Sequence, residues 1–188
     1  NVTLVGVLSA DMSLHMPDFR AAERTYQLLA QVSGRAGRAD LPGEVFVQTY
    51  SPDHPAVCAS ASDEGFRPFA AKELAERKEG GYPPYTHLVC LTFKGESEEK
   101  VRFCAEAYAR ELAGATGGTP QHTVPARILV SEACPAPLAK AKGRYRYQIL
   151  LRAPSTHAMT RPLREVMRKK NLPSGVSVAV DVDALNIM

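Results

Sequence analysis

The sequence predicts an α/β chain of two domains, and three patterns carry that prediction. A nearly continuous apolar run, Val2 to Leu8, is followed by a helical pattern and by a second strand-like run, Glu44 to Tyr50. A double glycine and two prolines, Gly80-Gly81-Tyr82-Pro83-Pro84, interrupt the chain near its middle. Beyond that breaker the segments alternate as β-α-β-β-α-β. The 188 residues therefore divide into 1–84 and 85–188.

In the first domain, Val2 to Leu8 has strand length and is apolar almost throughout, as expected of a strand buried on both faces of a parallel sheet. A loop follows. Asp18 is placed to cap the next helix, whose apolar positions Phe19, Ala22, Tyr26 and Leu29 fall at helical spacing. A strand, a helix and a strand in that order make a parallel crossover. Ser51-Pro-Asp-His-Pro55 ends the unit, and helices over 54–62 and 64–79 lead to the breaker.

The second domain reads as strand (His87 to Phe93), helix (Ser97 to Leu112), strand (Arg127 to Glu132), strand (Arg144 to Arg152), helix (156–170) and strand (Val176 to Asp183). Ser97 precedes Glu98 and Glu99, and Val101, Cys104, Ala105, Tyr108 and Leu112 share one helical face. Val176, Val178, Val180 and Val182 share one face of the last strand. This order is the split β-α-β, or ferredoxin-like, arrangement, with both helices on one face of the sheet. Pro162 argues for a last helix that starts near Thr160, with the proline in its first turn.

Composition is that of an ordinary globular protein, 45% hydrophobic and 23% charged, and a net charge of +3 permits nucleic-acid binding without requiring it. No apolar run approaches the ~20 residues of a membrane helix. Cys58, Cys90, Cys104 and Cys134 form no C-x-x-C pair, and read as reduced, mostly buried thiols of a cytoplasmic protein. The histidines 15, 54, 87, 122 and 157 are unclustered, and Asp181 and Asp183 lack a third ligand; all are expected to be structural. The opening Asn1-Val-Thr-Leu-Val5, with neither Met nor a charged leader, suggests a polypeptide cut from something longer.

The segment richest in chemistry is Gln31-Val-Ser-Gly-Arg-Ala-Gly-Arg38. Gln31, Arg35 and Arg38 stand at i, i+4 and i+7, one stripe if the helix continues. Gly34 and Gly37 remove side chains beside the arginines and let another surface approach, at ~1 kcal/mol each in helix propensity. Arginine's planar fork suits several phosphate oxygens at once, and one arginine projected across a cleft speeds phosphoryl transfer by roughly 10³–10⁵. For an isolated segment the better reading is a solvated helix end. The setting here, between helix and strand with a short turn at Leu41-Pro42-Gly43, reverses that.

A second candidate is the run Lys140, Lys142, Arg144 and Arg146. On an extended segment these alternate to one side, where they can track phosphates, while Tyr145, Tyr147 and Ile149 point to the other and are expected in the core. Arg164, Arg168, Lys169 and Lys170 lie near the end of the last helix, where the dipole favours cations whatever the partner.

Embedded in this way, the Gln31 to Arg38 segment resembles that of the second motor lobe of superfamily 2 helicases. Together with Val2-Thr-Leu-Val5, Ala10-Asp11, Asp18 to Arg24, Gly80 to Pro84, Pro135-Ala-Pro137, Gly143 to Leu150 and Val180 to Asp183, it resembles the PriA-like family of bacterial replication-restart helicases over essentially the whole chain.

That resemblance implies a partial RecA-like helicase lobe in residues 1–84 and a fork- and partner-binding domain in 85–188. It implies an ATP- and magnesium-dependent 3′ to 5′ DNA helicase that recognises abandoned forks and initiates primosome assembly. Gln31, Gly34, Arg35, Gly37 and Arg38 would face the nucleotide, with Arg38 as the finger at its terminal phosphate. Expected partners are DNA forks and single strands, single-stranded DNA-binding protein and other primosome proteins. The chain has no G-x-x-x-x-G-K-[ST] loop and is not expected to hydrolyse ATP alone. The family's zinc belongs to a cysteine-rich insertion that this chain lacks. A non-enzymatic nucleic-acid or protein-binding adaptor is the competing reading.

Overall fold

A computed structural model describes residues 2–36, 43–62, 65–116, 128–185 and 187. The chain divides into two compact units, Asn1–Arg77 and Lys78–Met188.

In the first unit, strand β1 (Leu4–Val7) is followed by a short helix α1 (Asp11–Leu14), helix α2 (Ala21–Ser33) and strand β2 (Glu44–Val47). The strands pair in parallel, Leu4 opposite Glu44 and Val7 opposite Val47. The crossover is thus present, with α1 where a loop is expected. Asp11 ties it down, accepting from the Thr49 hydroxyl at 2.8 Å and the Tyr50 amide at 3.0 Å. Asp18 stands two residues before the capping position. It accepts from the Arg20 amide at 2.9 Å and pairs with Arg24 at 3.0 Å, while Arg20 itself precedes the first residue of α2.

The expectation that β1 is buried on both faces does not hold. Leu4 is 60% exposed and Phe46 on β2 is 63% exposed. Among the described residues this sheet has only two strands, and each is half-buried on one side and exposed on the other. Helices α3 (Pro55–Ala61) and α4 (Phe66–Glu79) complete the unit. Leu14, Ala56 and Phe69 form its small core, Tyr26 of α2 stacks on Phe69 at 5.2 Å, and Arg77 reaches Glu23 at 2.7 Å.

The second unit comprises β3 (His87–Gly95), α5 (Glu98–Thr116), β4 (Leu129–Val130), β5 (Cys134–Ala141), β6 (Arg144–Ala153), α6 (Thr156–Lys169) and β7 (Val176–Val182). The strands are antiparallel in the order β4-β6-β3-β7, with β5 also on the β4 edge of β6. Helices α5 and α6 lie on one face. Val101, Cys104, Tyr108 and Leu112 from the first, and Met159, Leu163 and Val166 from the second, pack on Leu91, Phe93, Ile149 and Leu151. The helices are latched where Tyr108 donates to the Lys170 carbonyl and Lys170 to the Ala107 carbonyl, both at 2.9 Å.

Two elements depart from expectation. Cys134-Pro-Ala-Pro137 does not read as a strand, yet β5 forms there; an edge position tolerates proline, and the ladder is irregular between Pro135 and Lys140. Helix α6, Thr156–Lys169, spans the expected 156–170 and is capped by Ser155, but it does not start near Thr160 and carries Pro162 in its interior rather than its first turn. Its buried face of Met159, Leu163 and Val166 outweighs one lost backbone bond.

Candidate nucleotide and nucleic-acid sites

Helix α2 ends at Ser33, so the α-helical stripe that starts at Gln31 does not run on to Arg35. One tighter turn continues, with Arg35 N–H on the Val32 carbonyl at 3.0 Å and Ala36 N–H on that of Ser33 at 3.2 Å. Gln31, Gly34 and Arg35 are all exposed. Arg35 makes no ion pair among the described residues. Gly34 has φ −66°, open to any residue, and an added Cβ would meet only the Ala30 and Gln31 carbonyls at ordinary contact distance. The unit's own packing therefore does not require a glycine there. Gly37 and Arg38, with Leu41 and Pro42 of the expected turn, lie outside the described residues.

The cationic run is a β-hairpin. Lys142 and Gly143 both take positive φ, 49° and 76°, and make a two-residue turn between β5 and β6. That turn alters the expected grouping. Lys140 lies opposite Tyr145, so it shares the helix-covered side, with its Nζ 3.0 Å from the Tyr145 hydroxyl and 4.3 Å above the ring. Arg144 and Arg146 lie on the other side, and Lys142 sits in the turn. A count by alternation assumes a continuous strand; a two-residue turn reverses parity across it. Tyr147 is buried and donates to Glu98 at 3.2 Å.

The sequence reading missed Lys94. It lies directly opposite Arg146 in the β3–β6 ladder and so joins Arg144 and Arg146 on the helix-free face. No local motif marks it; only cross-strand register finds it.

The remaining titratable groups serve the fold. His54 caps α3 through its Nδ1, which accepts from the Ala56 amide at 3.2 Å, and burial lowers its pKa. His87 meets Asp183 at 2.8 Å. Asp181 pairs across the ladder with Cys90. Burial raises the Cys90, Cys104 and Cys134 thiols. Among the described residues no three of His, Cys, Asp or Glu gather to hold a metal ion, and no helix is long and apolar enough to cross a membrane.

Comparison with known proteins places these features in a family. The model of the primosomal protein N C-terminal domain matches residues 78–185. Over 191 residues, 100% of this chain, the sequence is 38% identical to the Replication restart protein PriA of Bacillus subtilis, of which it covers 23%. It is 38% identical to the protein of that name from Synechocystis over 99% of this chain and 21% of the relative. The Treponema pallidum protein is 41% identical over 98% of this chain and 27% of its own length. The chain thus spans about a quarter of the length of these relatives. With the family model covering more than half of it, the chain belongs to the primosomal protein N C-terminal domain family.

Proposed function

We propose that this chain is the C-terminal part of an ATP-dependent 3′ to 5′ DNA helicase that recognises stalled or abandoned replication forks and initiates primosome assembly for replication restart. The observation that carries this reading is the similarity, over the whole of this chain, to part of the replication restart proteins, which extends through the Gln31 to Arg38 segment as well as the matched domain. Residues 1–84 are read as the end of a RecA-like motor lobe, supported by the parallel crossover and by apolar strands left uncovered. Residues 85–188 are read as a ferredoxin-like fork-binding domain, supported by the strand order and by helices on one face.

The donors fit one side of a nucleotide site. Arg35 and Gln31 are both exposed, and Gly34 between them carries no side chain to obstruct an approaching ligand. When bound, ATP with magnesium supplies the free energy of phosphoryl transfer. Arg35 and Arg38 are assigned to hold positive charge at its phosphates, with Arg38 at the terminal one. The phosphate-cradling loop, the magnesium carboxylates and the zinc ligands are assigned to the remainder of the parent. Lys142, Arg144 and Arg146 are assigned to DNA; Lys140 is engaged with Tyr145 on the other side. Single-stranded DNA-binding protein and the other primosome proteins are proposed as partners, with no residue of this chain allotted to them.

Arg38→Ala in the intact parent tests the reading. DNA-stimulated ATP turnover is expected to fall by at least ~10³-fold, with fork affinity nearly unchanged. Wild-type turnover in the variant would overturn the assignment, and a parent that shows no turnover at all would favour the adaptor.

A further inference from the structure

Apart from Arg152, which is engaged with the Gly80 carbonyl and the Tyr82 ring, the helix-free face of the second unit's sheet carries three cations that no ion pair neutralises among the described residues. Lys94 and Arg146 are direct cross-strand partners, and Arg144 follows on the same side of β6. Like charges directly opposite one another in a sheet repel. No ion pair relieves Lys94, Arg144 or Arg146 among the described residues. The acidic residue of this face on β7, Asp181, pairs with Cys90, four positions along β7 from Ser177, which is the partner of Lys94.

The rest of the face determines what such a line can bind. Next to the cations stand Thr92 and Gln148, 3.5 Å apart, followed by Cys90 and Leu150. No aromatic side chain lies on this side of β3, β6 or β7, because Phe93, Tyr145 and Tyr147 all point to the helix side. Single strands are gripped by stacking bases on aromatic rings, and none stands beside these cations; at the far end of β6 the Tyr82 ring is taken up by Arg152, whose guanidinium carbon lies 4.8 Å from its centre. Cations about 7 Å apart along a strand suit a phosphate backbone whose bases are already paired.

We propose that this face, through Lys94, Arg146 and Arg144, holds the sugar–phosphate backbone of a double-stranded DNA arm without reading its sequence. The inference rests on the DNA-binding function proposed above and deepens it. It names duplex as the ligand and moves the site from the hairpin strip to the face on which Lys94 lies.

The test is the salt dependence of binding by the intact parent to a blunt duplex and to oligo(dT). Each phosphate contact contributes about 0.9 to the slope of log affinity against log salt. Lys94→Ala/Arg146→Ala is expected to reduce the duplex slope by about 2 and to leave oligo(dT) binding unchanged, whereas Lys140→Ala changes neither. The double variant should unfold at the wild-type temperature or above, since it removes a repulsion; Lys94→Gln/Arg146→Gln repeats the test with the side-chain stems kept. An unchanged duplex slope in both double variants overturns the proposal. So does a loss confined to oligo(dT), which would make single strands the ligand. A wild-type parent that binds neither DNA would instead overturn the underlying DNA-binding reading.

Discussion

At the scale of the residue, Asp11 shows how one carboxylate can hold a crossover. Burial pushes its pKa up, but the Tyr50 amide and the Thr49 hydroxyl outweigh that, and the group is held below the ordinary 3.8. A folded-state pKa below the unfolded one gives stability that is present above about 3.8 and is lost as pH falls through the folded value. Asp11→Asn should therefore lower the unfolding midpoint at neutral pH. The difference from wild type should close as the pH is taken below 4, as followed by denaturant melts across that range. The Ala10-Asp11 pair is legible in the sequence as part of a resemblance; its bonds, 38 and 39 residues away, are not.

At the scale of the element, the closest approach lies where β3 ends against α5 and β7. A Cβ on Gly95 would stand 2.8 Å from the Gly175 carbonyl and 2.8 Å from a methyl of buried Val101. One obstacle is backbone and the other is fixed in the core, so neither can move aside at little cost. Gly95→Ala is expected to cost about 1–3 kcal/mol, read as a lower denaturant midpoint with an unchanged slope. The helices and the long strands of this unit follow from periodicity, because each buries one face. Strand β5 and the place of Pro162 inside α6 do not. Prolines lower the local preference in both, and edge pairing or the burial of Met159 and Leu163 overrides it.

At the scale of the whole molecule, the thiols report on both units at once. Cys90 and Cys104 are buried and their pKa values are raised by burial, whereas Cys58 and Cys134 are exposed, Cys134 also with a raised thiol pKa. Native labelling with a maleimide should modify Cys58 first and Cys134 more slowly. Cys90 and Cys104 should react only on unfolding, as mass spectrometry of labelled peptides would show. Rapid native labelling of Cys104 would contradict the packing of α5 on the sheet.

By itself the sequence determined the class, the alternation of elements, the helix-side core and the family resemblance. These rest on local spacing, breakers and motifs, all of which lie within a few residues of one another. Tertiary structure alone decided which faces are covered and which cations stand together. One side of β1 and β2, with Leu4 and Phe46, stays exposed because among the described residues no further strand pairs with them, a property of neighbours rather than of their own residues. Lys140 leaves the basic strip because a two-residue turn reverses parity, and Lys94 joins it from 52 residues away because β3 and β6 align in that register. The β5–β6 pairing follows from a local turn, whereas the β3–β6 pairing joins residues 52 apart and no motif around either one marks it.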